Sequence, residues 1–350
     1  MLSFYPGPSK VHPEALGYIQ EAFEQGIVSI NHRSAQFEEL LEATFQELHA
    51  KWNIPADYSI YFVSSATEAW EIVTQSLVRK KSIHLYNGAF GKKWANYAKS
   101  VAECHEFSIG QSLAEVSLQL GPLEGDTLCL VQSETSNGTG QQIRRADFQL
   151  AEDAIVAVDA TSSMGGIELP WLEADVWLAS VQKCMGIPAG MGLMICSPKA
   201  LNRAKELARA THYNDLLFIE ENRRVFQTQM TPNVLSIYLI YRLTQQLPSL
   251  SETHLATLTK MKIWTDFWDQ QNDFSYLIER DELRLPTVLA LKGPAEKIQA
   301  LHAHCQVNGI ELELGKGYGE WKNTTFRIAN FPAHTKEDIE TLINHLKNDL

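Results

Sequence analysis

Two residues near the middle of the chain have types and positions suited to covalent chemistry. Asp159 closes the apolar run 154–159, and Lys183 follows the run 175–180 through Val181 and Gln182. After the earlier run 59–63 comes Ser64-Ser65-Ala66-Thr67-Glu68, with Ser65 and Glu68 at the spacing of a capping box. A helix start rich in small and hydroxyl residues offers free amides and positive dipole charge, a ready anion site. An amine can add to an aldehyde, a carboxylate can keep a ring nitrogen protonated, and the helix start can take a phosphate. The set suits pyridoxal phosphate. The lysine must then be partly neutral, which desolvation and neighbouring positive charge favour. On spacing alone ordinary readings remain open, since a strand-end Asp is often a cap and a lone Lys usually a solvated charge.

The elements that must hold these residues can be read from periodicity. Short β-type runs at 59–63, 83–86, 127–132, 154–159, 175–180 and 192–196 are separated by helical stretches. Several are apolar on both faces, as central parallel strands are when helices cover both sides of a sheet. Alternation of this kind predicts an α/β domain with a mostly parallel sheet, in which ligands gather at the carboxyl ends of the strands. Phe37, Leu40, Leu41, Thr44, Phe45, Leu48 and Trp52 recur at helical spacing behind Ser34, a predicted N-cap. Residues 233–247, opened by Pro232, are apolar nearly all round, which predicts a helix buried on more than one face. After Pro248 the pattern is mixed, ending in a stripe of Ile339, Leu342, Ile343 and Leu346 capped by Thr335 with Asp338. The division expected is an N-terminal arm over 1–14, a large domain over 15–235 and a small α+β domain over 236–350.

Composition narrows the classes. The 350 residues carry 30 basic and 42 acidic side chains, a formal charge of 30 − 42 = −12, with 45% hydrophobic and 21% charged residues. These fractions argue against disorder, and the acidic balance argues against nucleic-acid partners. No apolar run approaches the roughly 20 residues needed to cross a bilayer. The start lacks the basic and apolar regions of a signal peptide, so a cytoplasmic location is expected. Cys104, Cys129, Cys184, Cys196 and Cys305 form no C-x-x-C pair and read as reduced. His302 and His304 lie two apart in a helical stretch and diverge, so no metal site is expected. The glycine-rich run 186–192 precedes a strand rather than opening a helix, and so is no dinucleotide fingerprint.

With these residues in view, the chain resembles the class V, fold-type I pyridoxal-phosphate aminotransferases, in particular their phosphoserine aminotransferase branch. The likeness runs in order through Phe4-Tyr5-Pro6-Gly7-Pro8, Asn31-His32-Arg33-Ser34, Ser64 to Trp70, Gln132 to Gly138, Val158-Asp159-Ala160, Ser180 to Lys183, Thr231-Pro232 and Phe326-Arg327. It implies the family fold, a large domain with a mostly parallel seven-stranded sheet flanked by helices plus a smaller α+β C-terminal domain. It implies pyridoxal 5′-phosphate as cofactor, Lys183 as its Schiff-base lysine and Asp159 as partner of the pyridine nitrogen. Ala66, Thr67 and Gln182 would serve the cofactor phosphate, Phe90 would stack on the ring, and Thr135 would bond its phenolic oxygen. Thr231 would reach the phosphate in a neighbouring subunit, making the active sites shared and the protein a homodimer. Arg327 would clamp the substrate α-carboxylate, with a fold-stabilising ion pair as the other reading. His32 and Arg33 would touch the substrate side chain in the partner's site.

The resemblance carries departures. Where the phosphoserine branch usually has a second His-Arg pair, this chain has Gly319-Glu320-Trp321-Lys322, and the Asn before the phosphate-binding Thr is Met230. A carboxylate beside a dianionic phosphate is unfavourable, with Lys322 and Lys316 as possible offsets. The expected activity is amino transfer between an L-amino acid and a 2-oxo acid, phosphoserine with 2-oxoglutarate first. Serine or alanine with glyoxylate is the alternative, and a non-catalytic binding protein on the same fold is the alternative of another class.

Overall fold

Strand β1 (Ser59–Val63), β4 (Thr127–Val131), β5 (Ile155–Asp159), β6 (Val176–Ser180) and β7 (Gly192–Cys196) are buried at every residue, as is β2 (Ser82–Tyr86). The computed structural model, which describes residues 2–209, 212–314 and 317–347, joins them with β3 (Ala102–Glu106) into one seven-stranded sheet. The order is β1-β7-β6-β5-β4-β2-β3, parallel throughout except for β7, which runs antiparallel to β1 and β6. Alternate residues serve opposite layers: on β5, Val156 and Val158 enter one core while Ile155 and Ala157 enter the other.

Helices α2 (Ala35–Trp52) and α8 (Val234–Gln246) supply the first of those cores, with Phe37, Leu41, Leu48, Ile237 and Leu239. Helix α3 (Ala66–Leu77) supplies Ala69, Trp70 and Val73 to the second. Ser34 caps α2 as expected, accepting from the Phe37 amide. Because α8 packs on α1 (Ala15–Glu24) and α2, the expected division at 235/236 falls in the first turn of a helix whose apolar residues belong to the large core.

Strand β3 is the element periodicity did not show. It is an edge strand, half exposed along Ala-Glu-Cys-His-Glu, and its Glu103 pairs with Lys81 at 2.5 Å and His105 at 2.8 Å. Charges on an edge strand keep it from pairing with another chain, and they also hide its alternation.

The C-terminal part packs α9 (Leu250–Trp268), α10 (Ala295–Val307) and α11 (Lys336–Leu346) against an antiparallel four-stranded sheet. Its order is β8 (Ser275–Tyr276), β9 (Val288–Lys292), β11 (Thr325–Ala329), β10 (Glu313–Leu314). The N-terminal arm is bound into this part: Leu2–Ser3 pairs parallel with Ile310–Glu311, and Phe4 is fully buried among Trp264, Ile328 and Leu346.

Candidate active site

The strand ends converge as the topology requires. One cavity is lined by Asp159 at the end of β5, Ser180 at the end of β6 with Gln182 and Lys183 just beyond it, Ala66 and Thr67 at the start of α3, and Phe90 and Thr135. Gly7 of the N-terminal arm closes another side. Lys183 is buried, and burial lowers its amine to a pKa of about 8, against the pull of Asp159 and with help from Arg327. Its Nζ donates to Thr135 Oγ1 at 2.7 Å and Ser162 Oγ at 3.1 Å, and lies 5.3 Å from the centre of the Phe90 ring.

Asp159 accepts the Trp70 indole N–H at 2.9 Å and the Thr161 amide at 2.8 Å. Both donors are neutral, so they fix the carboxylate's orientation without adding a counter-charge. Burial pushes its carboxyl above the ordinary range, while those hydrogen bonds and the Lys183 charge pull the other way.

The first turn of α3 borders the cavity. Ser65 caps the helix by accepting from the Glu68 amide at 3.0 Å. The expected capping box is half made, because Glu68 turns to the amide and hydroxyl of Ser64, both at 2.6 Å. The Ala66 amide donates to Ser180 Oγ at 3.3 Å, tying the helix start to the end of β6.

Phe90 stands on α4 (Ala89–Tyr97), whose N-cap, Gly88, has no side chain to offer. The cap comes from a distance. Glu134, 1% exposed, takes the Phe90 and Gly91 amides at 3.4 and 3.1 Å, and Ser136 Oγ takes the Ala89 amide at 2.9 Å. A buried carboxylate at a helix N-terminus is electrostatically well placed. This role of Glu134 in carrying Phe90 was not read from the sequence, since 44 residues separate the partners.

Arg327 reaches the same region from β11. Its Nε and Nη2 each lie 3.0 Å from a Glu313 carboxylate oxygen, a side-on pair from the facing strand, and its Nη1 donates to the Thr135 carbonyl at 2.6 Å. The ion-pair reading of Arg327 is therefore present, and one N–H on Nη1 and one on Nη2 remain for a further acceptor. Tyr318 extends this side, its ring 5.5 Å from the guanidinium and 6.2 Å from the Phe90 ring.

The other expected residues lie apart from this cavity. His32 and Arg33 precede α2, where Arg33 Nη1 donates to Asn222 at 3.0 Å and Gln227 at 2.5 Å. Thr231 is exposed just before α8. Trp321 and Lys322 lie at the turn 319–322 and are not among the residues lining the cavity. Lys316 and the Glu320 side chain fall outside the described residues.

Comparison with known proteins matches this architecture. Residues 2–342 fit the model of the family described as aminotransferase class-V. A phosphoserine aminotransferase from Cytophaga hutchinsonii superposes with a TM-score of 0.90 at 30% identity, over 100% of this chain and 99% of that one. The phosphoserine aminotransferase of Rhodococcus opacus is 25% identical, covering 96% of this chain and 91% of its own. An aspartate aminotransferase from Thermus thermophilus shares the fold alone, with a TM-score of 0.86 at 20% identity over the whole of both chains. A buried lysine and carboxylate at adjacent strand ends, carried on a sheet that superposes so fully, thus sit in a chain that belongs to the class-V aminotransferases and is a transaminase.

Proposed function

We propose that this chain is a pyridoxal 5′-phosphate-dependent aminotransferase, acting on phosphoserine and 2-oxoglutarate, as a homodimer with shared sites. The observation that carries the reading is the Lys183 amine, brought by burial to a pKa of about 8 in a cavity it shares with Asp159. The donor set fits the cofactor: Asp159 for the ring nitrogen, Lys183 for the aldehyde, the first turn of α3 with Thr67 and Gln182 for the phosphate, and Phe90 for the ring face. When bound, pyridoxal phosphate supplies an electron sink for the charge left at the substrate α-carbon.

The chain's own residues do the rest. Lys183 would hold the cofactor through its amine, and the same amine, when neutral and free, would take the proton from the substrate α-carbon and hand it to the cofactor carbon beside it. Asp159 keeps the ring nitrogen protonated. Arg327, held by Glu313, offers its two remaining N–H groups to the α-carboxylate, and a guanidinium fork orients a planar acid better than an ammonium does. Thr231, His32 and Arg33 lie outside the cavity of their own chain, and supplying them to a second subunit's site is the role that makes the dimer necessary.

Serine or alanine with glyoxylate is the second reading, favoured by Glu320-Trp321 in place of a His-Arg pair and by the uncharged Tyr318 ring beside Arg327. A single-turnover screen separates the two. The cofactor-loaded protein is mixed with phosphoserine, serine, alanine or glutamate, and loss of its visible band is timed. Phosphoserine and glutamate are expected to bleach it fastest, and Lys183→Ala is expected to abolish turnover while leaving the fold intact. Fastest bleaching by serine or alanine transfers the assignment to the second reading. A protein that binds no cofactor, or responds to no donor, overturns both.

A further inference from the structure

Lys183 has a partner that no sequence reading assigned. Ser162, fully buried on the turn after β5, accepts from Lys183 Nζ at 3.1 Å and is hydrogen-bonded to the Thr135 hydroxyl. Its backbone is pinned from three sides. The Ser162 amide donates to Ser133 Oγ at 3.0 Å, and its carbonyl accepts from Cys184 Sγ at 3.2 Å and from Thr287 Oγ1. The hydroxyl oxygen is thereby held beside the amine by the fold rather than by the lysine.

A neutral amine has two N–H groups and one lone pair. With the N–H groups given to Thr135 and Ser162, the lone pair takes the remaining tetrahedral direction. Gly7 packs on the side chain itself, where an added Cβ would stand 3.0 Å from Lys183 Cε. We propose that Ser162 is a positioning residue for Lys183, its Oγ taking one N–H so that the lone pair faces the cavity. Should Thr135 turn to the cofactor's phenolic oxygen, Ser162 is the hydroxyl left to the amine. The inference rests on the pyridoxal-phosphate reading above.

An accepting oxygen beside the nitrogen also favours its protonated form. The charged and titratable groups that face Lys183 are Asp159, Glu134, Arg327 and the Cys184 thiol, and all of them stay in place when Ser162 is changed. Removing the Ser162 hydroxyl must therefore move the nitrogen's titration downward.

The test compares the wild type with Ser162→Ala by the pH dependence of the rate at which added pyridoxal phosphate develops the visible band, which titrates the free Lys183 amine, together with steady-state kinetics and thermal melting. The titration midpoint is expected to fall by about one pH unit. kcat is expected to fall about tenfold, with KM for the amino donor within about twofold, because the reacting nitrogen is mis-aimed while substrate contacts persist. Ser162→Cys keeps the shape with a weaker acceptor, and is expected to titrate between the two. An unchanged midpoint in either folded variant, whatever happens to melting or kcat, makes Ser162 a packing residue and overturns the proposal. A wild type that develops no band with added cofactor overturns the function reading itself, and this inference with it.

Discussion

Arg327 is a residue of the fold to which the proposed function gives a second role. Three of its five N–H groups are spent on Glu313 and the Thr135 carbonyl, and both charged partners are nearly inaccessible, at 6% and 1% exposure. Glu313 compensates the guanidinium charge, so in the proposed role Arg327 would offer a substrate carboxylate directed donors more than raw positive charge. Arg327→Lys keeps the charge and loses the fork. Its ammonium cannot serve Glu313 on two atoms and still reach the Thr135 carbonyl and a substrate. KM for the amino donor is expected to rise about tenfold or more, from the loss of a bidentate charged contact. Stability is expected to fall by about 1–3 kcal/mol, less than for outright loss of a buried charge. Steady-state kinetics and denaturant titration measure the two effects separately. A destabilised variant with unchanged KM would leave Arg327 as an ion pair of the fold alone.

At the scale of elements, α4 is the part whose placement hangs on a distant residue. An added Cβ on Gly88 would stand 2.3 Å from Glu134 Cγ and 2.7 Å from Ser136 Oγ, the two side chains that cap the helix. Gly88→Ala therefore has to push the caps away, freeing the first amides of α4 and shifting Phe90. A loss of about 1–3 kcal/mol is expected, as for other overpacked sites. It is read from the denaturant midpoint, with weaker cofactor retention alongside; a wild-type midpoint would mean that Glu134 can yield without cost. The same helix marks the boundary of what the sequence could show. Strands such as β5 were legible because their residues are apolar on both faces, and Asp159 and Lys183 followed from where those strands end. The edge strand β3 was not, since none of its residues is fully buried and charged side chains run along it. Glu134, Ser162 and Glu313 were not legible as site residues either. Each acts on a partner 14 to 44 residues away, across a strand register or a turn that local pattern does not encode.

For the whole molecule, the cavity draws on distant parts of the chain: Lys183 lines it from the large sheet, Arg327 bonds the carbonyl of the lining residue Thr135 from the C-terminal sheet, and the N-terminal arm links those parts. Leu2–Ser3 pairs with Ile310–Glu311, the Ala329 amide donates to the Phe4 carbonyl at 2.9 Å, and the Phe4 ring meets Trp264 at 5.5 Å and His334 at 4.7 Å. Further along, the Ser9 amide donates to the Gln182 carbonyl at 3.0 Å and the His12 amide to the Gly186 carbonyl at 2.7 Å, on either side of Lys183. The arm thus anchors in the C-terminal core and bonds the lysine loop a few residues later. Phe4→Ala empties a fully buried ring position in that core, for which about 3–5 kcal/mol is expected. Freed of its anchor, the arm should also hold Gly7 less firmly against Lys183, admitting water to an amine whose low pKa depends on burial. Cofactor retention, followed by equilibrium dialysis under conditions where the variant remains folded, is then expected to weaken together with the unfolding midpoint. If the midpoint falls and retention does not, the arm stabilises the C-terminal core without reaching the lysine, and burial of Lys183 must come from β6, Phe90 and Thr135 alone.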